Sequence, residues 1–400
     1  MSLHVRTARV DDVEALSRII AQAFGGGTYR PSEAANEIRR EMDLWIRPED
    51  CYVAEKDGVP VGVATGVPFH TWVGGVRLRL MGVRSVAVGW AARRQGVARA
   101  LMLSLLNRAK DEGYHLIGLY PFRPSFYQAF GFGSVETEHH YTIPTNFLPD
   151  FTTNATELGD SDLPQIQQVY QHSAEAGSFC NERAAPVWQR HWSEHWKELM
   201  RFGVWDDGRL TGYLVMKPAN DRLEQHEMVW LNPAALRALL GFLRSLSDQY
   251  TQVDLGLPTD VPLWPILKET QLDPGSSDRR CGLSTDGMAK LVDIPAAFQA
   301  RPYPAGLSTA VRLCVLDPLD KSETSWGLEI QDGRANVTAS PSSALPAVRL
   351  TTMALAQWYL GTLTASALWR VGALEIDRHD VLPVLDACMS GPQPYNRERY

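Results

Sequence analysis

No apolar run in this 400-residue sequence is long enough to cross a bilayer, and cysteine is scarce: five residues, at 51, 180, 281, 314 and 388. The first absence speaks against a spanning helix, and the alternating start Leu3-His4-Val5-Arg6-Thr7-Ala8 has nothing of an apolar signal stretch, so a cytoplasmic setting is expected. Cysteines that are odd in number, dispersed and without a CxxC pair leave neither a disulfide framework nor a cysteine zinc site to expect. Positive charge is not in excess either. A formal charge of -7 speaks against a nucleic-acid partner; it suits cationic substrates without implying them, since it also serves solubility. Metal-ligand spacing is missing as well: His191 and His195 lack the context of an HExxH site, and His139-His140 reads as a surface or sheet-edge pair. No metal is expected.

What is present is enough apolar material, 44% of the residues, for more than one core, and the length predicts two or three domains. Helical periodicity covers 11–24, ended by Gly25-Gly26-Gly27, and again about 32–44. Strands at 51–55 and 59–69 flank an Asp57-Gly58 hairpin turn, and a further strand runs over 78–88. The segment Phe202-Gly203-Val204-Trp205-Asp206-Asp207-Gly208-Arg209-Leu210-Thr211-Gly212 echoes Tyr52 to Gly62, which suggests a second copy of the same architecture. From about Leu291 a third, α+β unit is expected, with strands at 311–316, 326–330 and 334–338 and helices at 351–360, 364–369 and 380–388.

The chemistry concentrates where the β-branched strand Val83-Arg84-Ser85-Val86-Ala87-Val88 meets Arg93-Arg94-Gln95-Gly96-Val97-Ala98-Arg99. A glycine lets backbone approach a ligand, the next helix presents unpaired N–H groups at its positive end, and three arginines add charge; a pyrophosphate suits such a turn. A basic surface turn capping a helix is the plainer alternative. Further on, Ser125-Phe126-Tyr127-Gln128-Ala129-Phe130-Gly131-Phe132 places a tyrosine in an aromatic block, where simple core packing competes with a role as proton donor.

These motifs resemble the GCN5-related N-acetyltransferases: Arg93-x-x-Gly96-x-Ala98 is similar to the acyl-CoA signature, and the Tyr127 block to the segment whose tyrosine faces the thioester sulfur. Over nearly the whole length, including Ala289-Lys290-Leu291-Val292-Asp293-Ile294-Pro295-Ala296-Ala297, the chain resembles the enhanced intracellular survival (Eis) family. The resemblance implies a mixed α/β (α+β) chain of tandem GNAT folds, the second degenerate because its strand-to-helix turn lacks the arginine-glycine pattern, followed by a sterol-carrier-protein-like domain. The expected divisions are 1–147 (catalytic), 148–288 and 289–400.

It implies acetyl-CoA as co-substrate, bound by Val86, Ala87, Val88, Arg93, Arg94, Gln95, Gly96, Val97, Ala98, Arg99, Phe122 and Arg123, with Tyr127 as general acid and the carboxylate of Tyr400 as base. The acceptor would be a primary amine of a small cationic molecule, aminoglycosides included, and the assembly a homohexamer. Two departures bear on the acceptor: Arg399 stands where the family has an acid, and Ser85 where it can have an aromatic ring. Glu33, Glu37, Glu41 and Asp43 could line the entrance, with Met81, Trp45 and Tyr29 as apolar walls, although a solvated helix face and core packing are the plainer readings. A lysine acetyltransferase of proteins or peptides and a non-enzymatic CoA- or lipid-binding scaffold are the alternatives.

Overall fold

The computed structural model describes residues 3–24, 30–44, 46–269 and 281–399, the side chains of 41–44 apart. The first stretch comprises β1 (Leu3–Thr7), α1 (Val13–Phe24), α2 (Pro31–Leu44), β2 (Cys51–Lys56), β3 (Val59–Val73), β4 (Val76–Val88), α3 (Val97–Asp111), β5 (Leu116–Leu119), α4 (Pro124–Gln128) and β6 (Gly133–Ser134). Then come β7 (Thr137–Pro144), β8 (Thr156–Glu157), α5 (Leu163–Ala176), β9 (Ser178–Asn181), α6 (Ala185–Arg190), β10 (Met200–Asp206), β11 (Arg209–Ala219), β12 (Arg222–Trp230), α7 (Pro233–Ser245), β13 (Gln252–Pro258), β14 (Cys281–Thr285) and β15 (Met288–Leu291). The remainder holds α8 (Ile294–Ala300), β16 (Thr309–Asp317), β17 (Ser322–Gln331), β18 (Arg334–Thr338), β19 (Ala347–Thr351), α9 (Thr352–Leu360), α10 (Ala365–Arg370), β20 (Leu374–Ile376) and α11 (Leu382–Cys388).

Two sheets have the same plan. The first is ordered β1-β2-β3-β4-β5-β15-β6, and the second β8-β10-β11-β12-β13-β7-β14. The echo between 52–62 and 202–212 extends to detail, because the β2–β3 hairpin shifts register at Ala54/Glu55 and the β10–β11 hairpin at the corresponding Val204/Trp205. Each sheet has one parallel pair, β4–β5 joined by α3 and β12–β13 joined by α7. The crossover helices bury Leu101, Met102 and Leu105 in one case and Leu239, Leu240 and Leu243 in the other.

The two units exchange a strand. Leaving β6, the chain passes into the second sheet, where β7 inserts between β13 and β14; leaving β14, it returns and inserts β15 between β5 and β6. The expected division at 147 therefore falls after a strand of the second sheet, and the one at 288 falls on the first residue of a strand of the first sheet. His139-His140 lies on β7, which is paired on both sides and so is not a sheet edge, although His140 is exposed, as the surface alternative had it. β9 also crosses over, pairing with the far end of β3.

The third sheet, β18-β17-β16-β19-β20, contains two strands, β19 and β20, that periodicity did not reveal. Its core of Phe298, Leu355, Trp358 and Tyr359 is continuous with one face of the first sheet. Backbone contacts seal the joint: Thr352 donates to Gly131 O at 3.1 Å, and Gln357 to Ser134 O at 3.1 Å.

Because β15 fills an interior place of the first sheet, residues 1–147 expressed alone leave β5 and β6 without their shared partner. We expect that fragment to show no cooperative thermal transition by circular dichroism; a sigmoidal melt would refute the interlocked arrangement.

Candidate active site

The strand-to-helix segment occupies the centre of the first unit. β4 and β5 pair over Leu80–Val83 with Leu116–Leu119, so among the described residues the later part of β4 has no strand partner on that side. A bulge adds to the divergence: Ser85 and Val86 together face Ala64, with Ser85 at φ 53°. Val86 and Val88 then point into the cluster that holds Val97 and Tyr127, and Ala87 into the opposite one. Gly89 donates its N–H to Val61 on β3, at 2.9 Å, so alternation turns the N–H of Val88 the other way, into the gap.

Residues 89–96 connect β4 to α3. Gly96 caps the helix at φ 81°, a conformation costly for a residue with a Cβ, and the first-turn N–H groups of Val97, Ala98 and Arg99 have no acceptor within the helix. Arg93, Arg94 and Gln95 are exposed around them, Gln95 held by Lys56 at 2.5 Å, while Arg99 leans over the Phe130 ring at 5.8 Å. Together these donors and cations sit at the mouth of the β4–β5 gap, an arrangement of the kind that suits an anion.

Tyr127 sits on α4, just beyond β5. Its ring is buried against Phe126 at 5.0 Å, Phe122 at 5.8 Å and Phe132 at 6.2 Å, and burial pushes its phenol up to about 12. It therefore carries its proton throughout the physiological range. Phe122 is largely exposed beside it, and Arg123 provides the N-cap position of α4. Thus the structure gathers Val86, Val88, Val97 and Tyr127 in one cluster, with Phe122 alongside.

Met81 is fully buried in the same cluster as Val97 and Tyr127. Other expected residues lie elsewhere. Glu33 is in the first turn of α2, and Glu37 faces Arg190 at 3.6 Å. Tyr29, Trp45 and Tyr400, and the side chains of Glu41 and Asp43, lie outside the described residues.

The equivalent place in the second unit has been rebuilt. β12 and β13 also part, after Glu224 and Asp254, but only Leu231 and Asn232 connect β12 to α7. Asn232 accepts the N–H of Ala235 at 2.9 Å, and Pro233 has no N–H to offer. That leaves no phosphate cradle. The C-terminal segment runs over this second gap: the Tyr395 hydroxyl is 3.0 Å from Glu138 and 3.1 Å from Gly256 O, where a Cβ would meet the Glu138 carboxylate at 2.0 Å.

Buried polar contacts fix the segment. Arg183 forms a two-pronged pair with Glu227, at 2.9 and 2.5 Å, and reaches Glu398 at 2.7 Å; His191 meets the same Glu398 oxygen at 2.7 Å. Burial alone would raise the Glu398 carboxyl, but Arg183 and His191 outweigh it and hold it below its ordinary range. Asn396 ties the segment to the first unit, donating from its backbone to Glu136 at 3.1 Å and from its side chain to the Tyr120 hydroxyl at 3.1 Å. Tyr120 in turn donates to Glu136 at 2.9 Å, directly after β5. Arg399 turns to Asp286 at 2.6 Å and Glu138 at 3.3 Å, so its guanidinium is placed with the group Glu138, His140 and Asp286, which the sequence gave no reason to connect.

Behind the segment lies a cavity of about 840 Å³, lined by Arg84 just before the β4 bulge, His140, Arg190, Glu227, Asp254 and the tail. Sequence reasoning missed it, along with Tyr120, Glu136 and Asn396, because the partners of Glu136 are 16 and 260 positions away.

Comparison with known proteins agrees with this construction. Residues 4–135 and 180–289 each match an acetyltransferase (GNAT) domain model, and 294–397 a sterol carrier protein domain. The chain is 25% identical over 382 residues to the N-acetyltransferase Eis of Mycobacterium tuberculosis, covering 87% of this chain and 88% of that one. Its fold is that of a GCN5-related N-acetyltransferase from Anabaena variabilis, with a TM-score of 0.83 at 19% identity, all of both chains being covered. Eis1 from Mycobacterium abscessus gives 0.79 at 20% identity, covering 99% of this chain and all of that one. The protein is a GNAT-type N-acetyltransferase with a second, degenerate GNAT unit and a sterol-carrier-like domain. More narrowly, it is a homologue of the Eis family.

Burial raises the carboxyl of Glu136 to about 8, against the pull of Tyr120, Arg399 and the Asn396 N–H. Between about pH 4.5 and 8 the folded protein keeps a proton that the unfolded chain releases, so stability falls as pH rises through that window and levels off above it. Replacing Glu136 by Gln should flatten that decline in melting temperature. An unchanged slope would assign it to other groups.

Proposed function

We propose that the first unit transfers acetyl from acetyl-CoA to a primary amine of a small molecule lodged in the 840 Å³ cavity. The observation that carries this reading is the convergence of the β4–β5 gap, the 93–99 anion cradle and the protonated Tyr127. In it, the pantetheine arm pairs with Val86–Val88, the pyrophosphate rests on the cradle, and the N–H of Val88 polarises the acetyl carbonyl. The neutral amine attacks that carbonyl carbon as the C–S bond breaks, the amine proton leaves to a base, and Tyr127 gives its proton to the departing sulfur. A phenol near 12 keeps its proton until a strong base arrives, and a thiolate forming in a desolvated slot is such a base. The base expected at Tyr400 belongs to the same proposal and rests on the resemblance alone, as do Phe122 and Arg123 beside the cofactor, the homohexamer and the cytoplasmic setting.

Aminoglycosides are the finer acceptor reading, and the cavity is roomy enough for an amino sugar. Its charges favour a less cationic molecule. Glu138 is held by Arg399, Glu224 by Lys217 and Glu227 and Glu398 by Arg183, while Asp254 takes the Thr142 hydroxyl at 2.5 Å and faces Arg222 at 3.8 Å.

Acetyl-CoA consumption with aminoglycosides, polyamines, arylamines and lysyl peptides, with mass detection of product, tests the reading. Acetylation of a small amine supports it, exclusive acetylation of peptides moves it to protein acetylation, and no product from any class overturns it. Tyr127→Phe should lower kcat about 100- to 10,000-fold with little change in acetyl-CoA affinity; unchanged turnover would remove Tyr127 as the acid. Gly96→Val forces a β-branched residue to φ 81° in the cradle and should raise the KM for acetyl-CoA about tenfold or more while sparing the global melt.

A further inference from the structure

Behind the tail, His191 Nδ1, Gln225 Oε1 and Arg397 Nε are buried without a hydrogen-bond partner among the described residues, and of these three only Arg397 carries a permanent charge. The carboxylates of the large cavity are matched by internal partners, as described, but Arg397 has no carboxylate within ion-pair reach among the described residues. Its Nε is buried without a partner, and a guanidinium carries five N–H donors that never lose their charge. The face of the Tyr395 ring lies 5.0 Å from the guanidinium carbon and braces the side chain, leaving its N–H edge unused.

Its position is informative. Arg397 lines the large cavity and also a second one of about 360 Å³, whose walls include Cys180, Trp230, Leu231 and Pro258. It therefore stands where the tail crosses between the two, over the gap between β12 and β13. Two residues earlier Tyr395 is tied to Glu138, and one residue later Glu398 is tied to Arg183, so the backbone on either side is fixed and the guanidinium is presented at a set place.

We propose that Arg397 seats a carboxylate of the acceptor, so that this enzyme acetylates amines that also carry an acid group. The inference rests on the acceptor occupying the large cavity. A monoanion suits the place better than a phosphate dianion, because Glu227 contributes negative potential to Arg397 and one guanidinium, not a cluster, would hold the ligand. A planar carboxylate also matches the guanidinium edge with two parallel hydrogen bonds. On this view the matched carboxylates turn polycations away, and the open guanidinium selects the amines that are retained.

The test compares acceptor pairs that differ in one negative charge: 4-aminobenzoate with its methyl ester, and L-phenylalanine with L-phenylalaninamide. Wild-type, Arg397→Gln and Arg397→Lys proteins are assayed at saturating acetyl-CoA, and melting temperatures confirm folding. Loss of a charged hydrogen-bonded contact should lower the acid-to-neutral ratio of kcat/KM about tenfold or more in Arg397→Gln. Arg397→Lys, which keeps the charge but not the fork, should recover part of it. A ratio equal in wild type and Arg397→Gln overturns the seat. So does turnover of aminoglycosides with none of any acid-bearing amine, an outcome that leaves the acetyltransferase reading intact. If no amine at all is acetylated, that reading fails instead; calorimetric binding of 4-aminobenzoate to wild type, lost in Arg397→Gln, still supports the seat, and equal binding or none overturns it.

Discussion

A fully buried guanidinium must find its acceptors inside the protein, and Arg183 finds them on two distant stretches of chain, β12 and the C-terminal tail. It sits among the rings of Tyr170, Trp188 and Trp196, at 4.1, 5.0 and 5.8 Å, pairs with Glu227 of β12 and Glu398 of the tail, and donates to the backbone oxygen of Arg397 at 3.2 Å. Removing either carboxylate would leave charge stranded away from water, which costs about 3–5 kcal/mol in comparable buried pairs. Since Glu398 also receives His191, the tail has one register in which all these groups are satisfied. The cavity wall, the place of Asn396 beside Tyr120 and the outward turn of Arg399 follow from that register.

The exchanged strands act at the next level. With β15 in the first sheet and β7 in the second, neither unit can loosen without breaking an interior ladder of the other. Glu136 lies at the crossing between β6 and β7, where its buried carboxyl meets Tyr120 from the first unit and Asn396 from the tail. The β4–β5 gap and the tail are thereby held in one frame, although they come from opposite ends of the chain.

What the sequence made legible is what local chemistry decides. The pairs Asp57-Gly58, Asp207-Gly208 and Asp332-Gly333 each adopt two successive positive φ values, at 52° and 80°, 46° and 75°, and 50° and 77°, as a two-residue hairpin turn requires. The strand, cradle and helix of 83–111 were readable for the same reason, since glycine, arginine and apolar periodicity act within one turn of each other. Strand exchange leaves no such trace: β15 is four residues that suit any buried sheet position, and its neighbours are set by pairing across more than 150 positions. Arg399 shows a subtler limit. Its charge was plain in the sequence, but whether it faces the acceptor or a carboxylate depends on Asp286 and Glu138, which only the fold brings to it.

The duplicated gap suggests how one fold came to provide two different receptacles. In the first unit an eight-residue connection, 89–96, leaves room for a phosphate cradle; in the second, Asn232 and Pro233 close the helix start directly on the strand. Without a pyrophosphate cradle, the diverging strands of the second gap still form a concave surface, and the C-terminal segment forms one wall of it. The remaining space reaches Arg84 just before the bulge of β4, so it opens toward the part of the first gap where the thioester would lie. On the proposed reading, the intact gap takes the cofactor and the altered one the acceptor. Acceptor preference is then set by residues of β12, β13 and the tail, none of which belongs to the acyl-CoA motif, and it can change without disturbing the acetyl-transfer machinery.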